Sequence, residues 1–368
     1  MKKTLIAVAA LAATGAFAQG LTISGVLDAG YASVSGPNSA VDTKGVIQNG
    51  TATSAFILSG SQDLGGGLRA NARYEINPDF VGGAGLTGSA SAGIGGTNTA
   101  ANGYHFIGLS GAFGAVEFGR INTLTLAANG VVQPFSTALG SGYGSYGTAN
   151  SVLHLLPGKA DFSGAQTIPT RANNSFKYAT PNFSGFTAQV IATVKDGGDS
   201  ASTGNNRQGV TELGATYVNG PLTVNAANLV VKQGNGPVTG TSPLSLANNG
   251  KATMNTLVAA YTVMPGLRLG LGYHTSKVDN SGTIAVDTQT TRIGGTYTVG
   301  KIDFLGHYAR LNDKLTANAD RRVIGLGVDY NLSRTVALTA RYQALDLDTN
   351  SAADDKTTTL YGGLRVRF

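Results

Sequence analysis

From Leu21 to Phe368 one pattern recurs: apolar and polar residues alternate, and in the most regular stretches charges keep to one of the two faces. A period of two marks a strand with different surroundings on its two sides. Leu21, Ile23, Gly25, Leu27, Ala29 and Tyr31 oppose Thr22, Ser24, Val26 and Asp28. Leu68, Ala70, Ala72, Tyr74 and Ile76 oppose Arg69, Asn71, Arg73 and Glu75. The second half is more regular, as in Leu267, Leu269, Leu271 and Tyr273 against Arg268, Gly270, Gly272 and His274. Residues 187–194 and 222–232 alternate too weakly for their facing to be assigned. The last stretch, Leu360 to Phe368, is apolar on one side and carries Tyr361, Arg365 and Arg367 on the other. Such one-sided strands need a cover for every apolar face, and the sequence supplies no second layer.

The connections sharpen the choice. They run two to five residues at one end of the strands and roughly ten to twenty or more at the other. A sandwich has no reason to gather its long loops at one end, whereas a membrane barrel does so. The reading is all-β: a transmembrane antiparallel β-barrel of about 16 strands, its last strand closing against Leu21–Tyr31 so that no edge stays free. No Lys, Arg, Asp or Glu stands among the apolar-face residues just named, where a charge facing lipid costs about 2–4 kcal/mol. The tyrosines form two sets. Tyr178, Tyr217, Tyr261, Tyr297 and Tyr330 precede short turns, and Tyr74, Tyr273, Tyr308 and Tyr342 lie higher on the strands. Two aromatic girdles about 25 Å apart are expected of such a barrel.

The N-terminus reads as a secretory signal peptide, residues 1–18. Lys2 and Lys3 precede an apolar run, and Ala16-Phe17-Ala18 offers a small-residue cleavage site. The run is too short to cross a bilayer, and no later segment reaches the ~18 apolar residues of a membrane helix. Residues 19–368 then form the exported barrel. Charged residues are 12 % of the chain, about half the usual share, and Gly numbers 53. The net charge of +6 falls to +4 without Lys2 and Lys3. No window holds more than two adjacent basic residues, so a nucleic-acid partner is not expected.

Catalytic and cofactor chemistry finds no footing. There is no cysteine, so no disulfide or thiolate metal site. His105, His154, His274 and His307 have no metal-ligand spacing and read as wall or loop residues. Gly83–Gly88 and Gly142–Gly147 match G-x-G-x-x-G, yet neither has the preceding strand and following helix that a dinucleotide site needs. No catalytic residue, metal or cofactor is assigned. What remains is the polar face, with Arg69, Arg73, Lys177, Arg268, Arg292, Arg341, Arg365 and Arg367 against Asp28, Glu75, Glu212, Asp303 and Asp329. Charges at these positions are costly in a dry core and natural around water. The inference is a water-filled lumen with a basic excess that mildly favours anions. An outer-membrane lipase- or protease-like barrel would need a nucleophile and base at one rim, which the four histidines do not furnish. A solute-specific channel or adhesin would rest on long loops that the sequence does not decode.

Several strings carry a resemblance. Ser59–Leu68, SGSQDLGGGL, is similar to the GSEDLGGGL turn of the general porins of beta-proteobacteria. Gly108–Gly114 and Phe118-Gly119-Arg120 resemble that family's next hairpin and its lead into the third loop. Arg171, Asn174-Ser175, Tyr178 and Pro181–Phe186 resemble its R…NS..Y..PNFSGF box, and Gly363–Phe368 its closing GLRHRF. The resemblance implies a homotrimeric outer-membrane barrel passing small hydrophilic solutes and ions by diffusion, surrounded by membrane lipid and lipopolysaccharide. It implies a third loop, Ile121 to about Thr170, folded inward to narrow the pore. Arg120, Arg171 and Lys177 are the candidates for that constriction, and Phe368 is implied as the signal read by the barrel-assembly machinery. Where relatives carry SRFGFKG, this chain has Ala55 and Ser59 in place of Arg and Lys, and Gly103 replaces a further wall Arg. A weak anion preference follows.

Overall fold

The computed structural model describes residues 20–36, 43–82, 103–142, 171–193, 209–232, 250–315, 320–347 and 356–368. The signal peptide, His154, Gly83–Gly88 and most of Gly142–Gly147 lie outside these residues.

The first strands are β1 (Leu21–Ser35), β2 (Thr43–Gln48), β3 (Ala55–Gly65), β4 (Leu68–Ile76), β5 (His105–Gly111) and β6 (Gly114–Asn122). A helix, α1 (Leu124–Val132), precedes β7 (Arg171–Ala179), β8 (Phe186–Thr193), β9 (Gly209–Asn219) and β10 (Leu222–Lys232). The remainder are β11 (Lys251–Met264), β12 (Leu267–Asn280), β13 (Thr283–Val299), β14 (Ile302–Asp313), β15 (Arg321–Asn331), β16 (Val336–Leu347) and β17 (Lys356–Arg367). All belong to one antiparallel sheet in which β1 also pairs with β17, so the sheet closes.

Seventeen strands fill sixteen wall positions, because the second position is broken. The upper half of β1, Ala29–Val34, pairs with β2. Its lower half, Leu21–Val26, pairs with β3. Residues 49–54 leave the wall between the two halves. The alternation seen in the sequence ran on through Phe56 and Leu58 but carried no sign of this break.

Facing follows the expected inversion. Leu257, Leu271, Ile293, Phe304, Leu326, Leu338 and Leu360 are exposed on the outer face, while Asp28, Glu212, Arg292, Asp329 and Arg341 are buried within. Near the upper rim, however, the inner face is apolar as well. Leu229, Val231, Met254, Val278, Leu311, Val323 and Leu345 form a buried cluster against which Leu126 and Val210 pack. This explains the weak alternation of residues 222–232: Leu229 and Val231 point inward and Asn228 outward, where it donates to Asn255 Oδ1 at 2.7 Å. In β8, Ile191 is inward and buried, and Phe186 is outward.

Two expectations change. The outer connection between β12 and β13 is a tight turn at Ser281-Gly282 rather than a long loop. The tyrosine sets are closer together than two full girdles. Tyr297 pairs with Phe304 and Tyr308 with Ile293, so the upper ring stands four residues, about 13 Å of strand, above the lower. The upper ring still marks a border: the next outer residues are polar, among them Thr291, Arg310 and Arg322.

The seam is closed by the chain's last residue. Phe368 donates its N–H to Gly25 O (3.2 Å) and accepts from Gly25 N (2.9 Å). Its ring lies 5.6 Å from that of Phe56 on the outer side. Deleting Phe368 removes both bonds and the aromatic contact at the edge where the barrel closes. The expected result is a several-fold loss of folded protein in the membrane fraction, with unchanged conductance in the barrels that do form. Normal insertion of the deletion variant would contradict this account of the seam.

Candidate pore constriction

One side of the lumen carries a cluster of alternating charges. β4 turns Arg69, Asn71, Arg73 and Glu75 inward at steps of two, and register places Glu117 of β6 beside Lys177 of β7. Lys177 Nζ meets the Glu117 carboxylate at 3.1 and 3.2 Å. Arg73 reaches Glu75 at 2.9 Å and Arg171 reaches the other Glu75 oxygen at 3.5 Å. Tyr104, just above β5, donates to Glu117. Its ring lies under both the Arg73 guanidinium (5.5 Å) and the Lys177 ammonium (6.0 Å). Burial first, then the Glu117 carboxylate, raises the Tyr104 phenol above its ordinary pKa, so it stays a neutral donor. Three cations face two carboxylates here, and Arg69 adds a further cation lower down, bonded to Ser61 Oγ at 3.1 and 3.2 Å. Asn71, Arg73, Tyr104, Glu117 and Lys177 line a cavity of about 530 Å³.

The opposite side carries the segment after β6. Thr123 caps α1, its Oγ1 accepting from Leu126 N (3.1 Å). The helix has no acid in its first turn and no base in its last. The wall supplies both. Glu212 accepts from Leu124 N (2.5 Å), Thr125 N (2.8 Å) and Thr125 Oγ1 (2.7 Å). Arg268 donates to Val131 O (2.9 Å) at the other end. An anion at the N-terminus and a cation at the C-terminus both complement the helix dipole.

Beyond the helix the chain keeps to the inner wall. Phe135 is buried with Arg341 5.6 Å from its ring centroid. Gly140 N donates to Gln343 Oε1 (2.9 Å), and His307 Nδ1 donates to Gly140 O (2.8 Å). Glycines of the strands make this close approach possible. A Cβ on Gly214, Gly270 or Gly325 would fall 2.4, 2.4 or 2.2 Å from Leu124 Cδ1, Val132 O and Gly140 O respectively. Residues 124–140 therefore pack against strand residues from β9 to β16; residues 143–170, the rest of the expected third loop, are outside the described set.

The sequence-predicted residues separate into three groups. Arg69, Arg73, Glu75, Arg171 and Lys177 come together on the β4–β7 wall. Arg268, Arg292 and Arg341 are on the inner face as expected, yet they sit with the α1 segment: Arg268 on its C-terminus, Arg341 against Phe135, and buried Arg292 donating to His307 Nε2 at 3.2 Å. Arg120 stands apart from both groups. It pairs with His105, which pairs with Tyr74, and these share the outer face with Phe118. A bulge between Gly119 and Ile121 disturbs the register just there, and Arg120 bonds to Asn173 Oδ1 instead. Gly103 could not hold the Arg of relatives, since even a Cβ would fall 2.2 Å from Glu75 O.

Glu117 and Tyr104 escaped the sequence reading. Glu117 is the one charge between outward Val116 and Phe118, so alternation across β6 could have flagged it. Tyr104 lies outside any strand and had no such signal. His105 and His274 are wall residues, stacked on Tyr74 at 4.3 Å and bonded to Thr256 Oγ1 at 3.0 Å.

Comparison with known proteins agrees with this geometry. Residues 4–350 match the model of a family described as Gram-negative porin. Outer membrane porin protein 32 of Delftia acidovorans is 31% identical over 353 residues, covering 92% of this chain and 88% of that one. Among solved structures, an anion-selective porin from Comamonas acidovorans superposes with a TM-score of 0.72 at 23% identity, covering 95% of this chain and 99% of the other. OmpT of Vibrio cholerae, solved in a trimer form, gives a TM-score of 0.63 at 15% identity, covering 95% of this chain and 99% of the other.

Proposed function

Because the chain belongs to the Gram-negative porin family, we propose that its sixteen-position barrel is a general diffusion channel of the outer membrane with a weak anion preference. The observation that carries this reading is the division of the inner wall. The α1 segment rests on β9 to β16, and the charged Arg73–Glu75–Glu117–Lys177–Arg171 cluster lies on the β4–β7 wall, where Arg73, Glu117 and Lys177 line a cavity. Small hydrophilic solutes cross passively, sieved by the inner segment and biased by the single surplus cation of the cluster.

The same reading includes a homotrimer. An apolar groove on the outer face, lined by Leu21, Ile107, Leu109, Phe113 and Phe118, is floored by Gly60, Ala70 and Ala72, which let a neighbouring wall approach. Lys251, Lys277, Arg310 and Arg322 stand exposed on the outer face above the apolar band, where the phosphates of lipid and lipopolysaccharide lie. Cleavage after Ala18 and delivery to the barrel-assembly machinery complete the route to the membrane.

Selectivity is tested by the zero-current potential across a salt gradient in a planar bilayer. The wild type gives a small potential of the anion-selective sign. Lys177→Gln and Arg73→Gln each leave a carboxylate without its closest cation and move the potential toward cation selectivity. Arg120→Gln, on the outer face, leaves it unchanged. A shift with Arg120→Gln and none with Lys177→Gln would overturn the assignment.

A further inference from the structure

The break in the second wall position is built, not incidental. Asn49 N donates to Asp28 O (2.9 Å) at one end of the insert, and Asp28 N donates to Ser54 Oγ (3.1 Å) at the other. Ser54 N closes the base of the insert on Asn49 Oδ1 (2.6 Å). Asp28 faces inward and is fully buried. Its Oδ2 accepts from Thr51 N, from Thr51 Oγ1 (2.6 Å) and from Ala52 N (2.7 Å), and its Oδ1 accepts from Tyr361 OH of the closing strand. One carboxylate thus holds the insert over the inner side of the wall. Charge-assisted bonds of this kind are the strong ones.

The insert in turn holds the inner segment. Leu139 N donates to Gly50 O (3.3 Å), and the Leu139 side chain is buried among Ala32, Ile47 and Tyr361. Gly50 lies so close to the Tyr361 ring that a Cβ there would fall 2.4 Å from it. The far end of the segment that starts on Glu212 therefore rests on residues displaced from the second strand.

We propose that Asn49–Ser54 is a second constriction element, contributed by the wall itself, and that Asp28 is the positioning residue that sets the aperture by holding both this insert and the Leu139 end of the inner segment. The proposal rests on the channel reading above. Asp28 touches no permeating solute; it acts through Thr51, Ala52 and Leu139.

The test uses the full-length protein in planar bilayers and in liposomes loaded for swelling assays. Asp28→Asn removes the charge and one of the two acceptor oxygens, so Thr51, Ala52 and Tyr361 can no longer all donate to this side chain. The expected result is greater open-channel current noise and a roughly twofold faster entry of solutes near the size limit, since sieving follows pore diameter. Thr51→Val, which removes one bond and keeps the volume, gives a smaller change in the same direction. Leu139→Ala releases the inner segment while leaving Asp28 and its partners in place, and is expected to resemble Asp28→Asn. If Asp28→Asn does not fold, Thr51→Val and Leu139→Ala decide. Noise and size limit equal to wild type in variants that fold would overturn the proposal while leaving a conducting wild type intact. A wild type without conductance would instead overturn the channel reading.

Discussion

Replacing Asp329 by Asn is expected to cost the folded barrel about 3–5 kcal/mol, the usual penalty for breaking a buried pair from one side. Asp329 of β15 lies between Arg365 NH2 at 2.9 Å and Arg341 NH1 at 2.6 Å, with all three side chains at most 9 % exposed. The Arg341 contact is ionic more than directional, because NH1 also donates to Ala340 O at 2.8 Å. Without the carboxylate, two guanidiniums on β16 and β17 remain buried with no counter-charge, next to the strand that closes the barrel on β1. The urea midpoint of unfolding should fall markedly, and Asp329→Asn combined with Arg365→Gln should recover part of the loss. An unchanged midpoint in the single variant would show that lumen water already screens these charges.

Replacing Glu212 by Ala is expected to free the inner segment without unfolding the wall. The carboxylate takes three hydrogen bonds at the start of α1, and no backbone ladder bond depends on its side chain. Bonds to a charged acceptor contribute about 1.5–3 kcal/mol each. A net loss near 3 kcal/mol would raise the detached population about a hundredfold. The readout is current noise and the entry rate of larger neutral solutes, both increased, with unaltered heat resistance of the barrel. Glu212→Gln, which keeps an acceptor but loses the charge, should fall between Ala and wild type. A quiet channel with the wild-type size limit in Glu212→Ala would mean that the glycine-lined contacts alone hold the helix.

Alternation made the barrel legible from the sequence because lipid and water impose opposite demands on successive residues. The same signal carried the inward facing of Arg268, Arg292 and Arg341, the outward facing of Leu364 and Phe368, and the seam between β1 and β17. It failed wherever parity breaks. The insert at residues 49–54 removed a piece of strand without disturbing the pattern on either side, whereas Arg120, taken from the family resemblance, has the parity of outward Phe118 and alternation alone would have set it apart. It also failed near the upper rim, where Leu229 and Val231 make the inner face apolar. Helix α1 left no readable trace. Nine residues with Gly130 near the end and no charges of their own make a poor isolated helix. Its stabilising charges, Glu212 and Arg268, come from strands far along the chain.

The central claim is that the barrel stays open between the α1 segment and the β4–β7 wall. Single-channel recording of the purified wild-type protein in a planar bilayer tests it most directly. The account predicts large, steady conductance steps that grow in proportion to salt concentration, as expected of a wet lumen. A folded barrel that inserts and passes no current would contradict it.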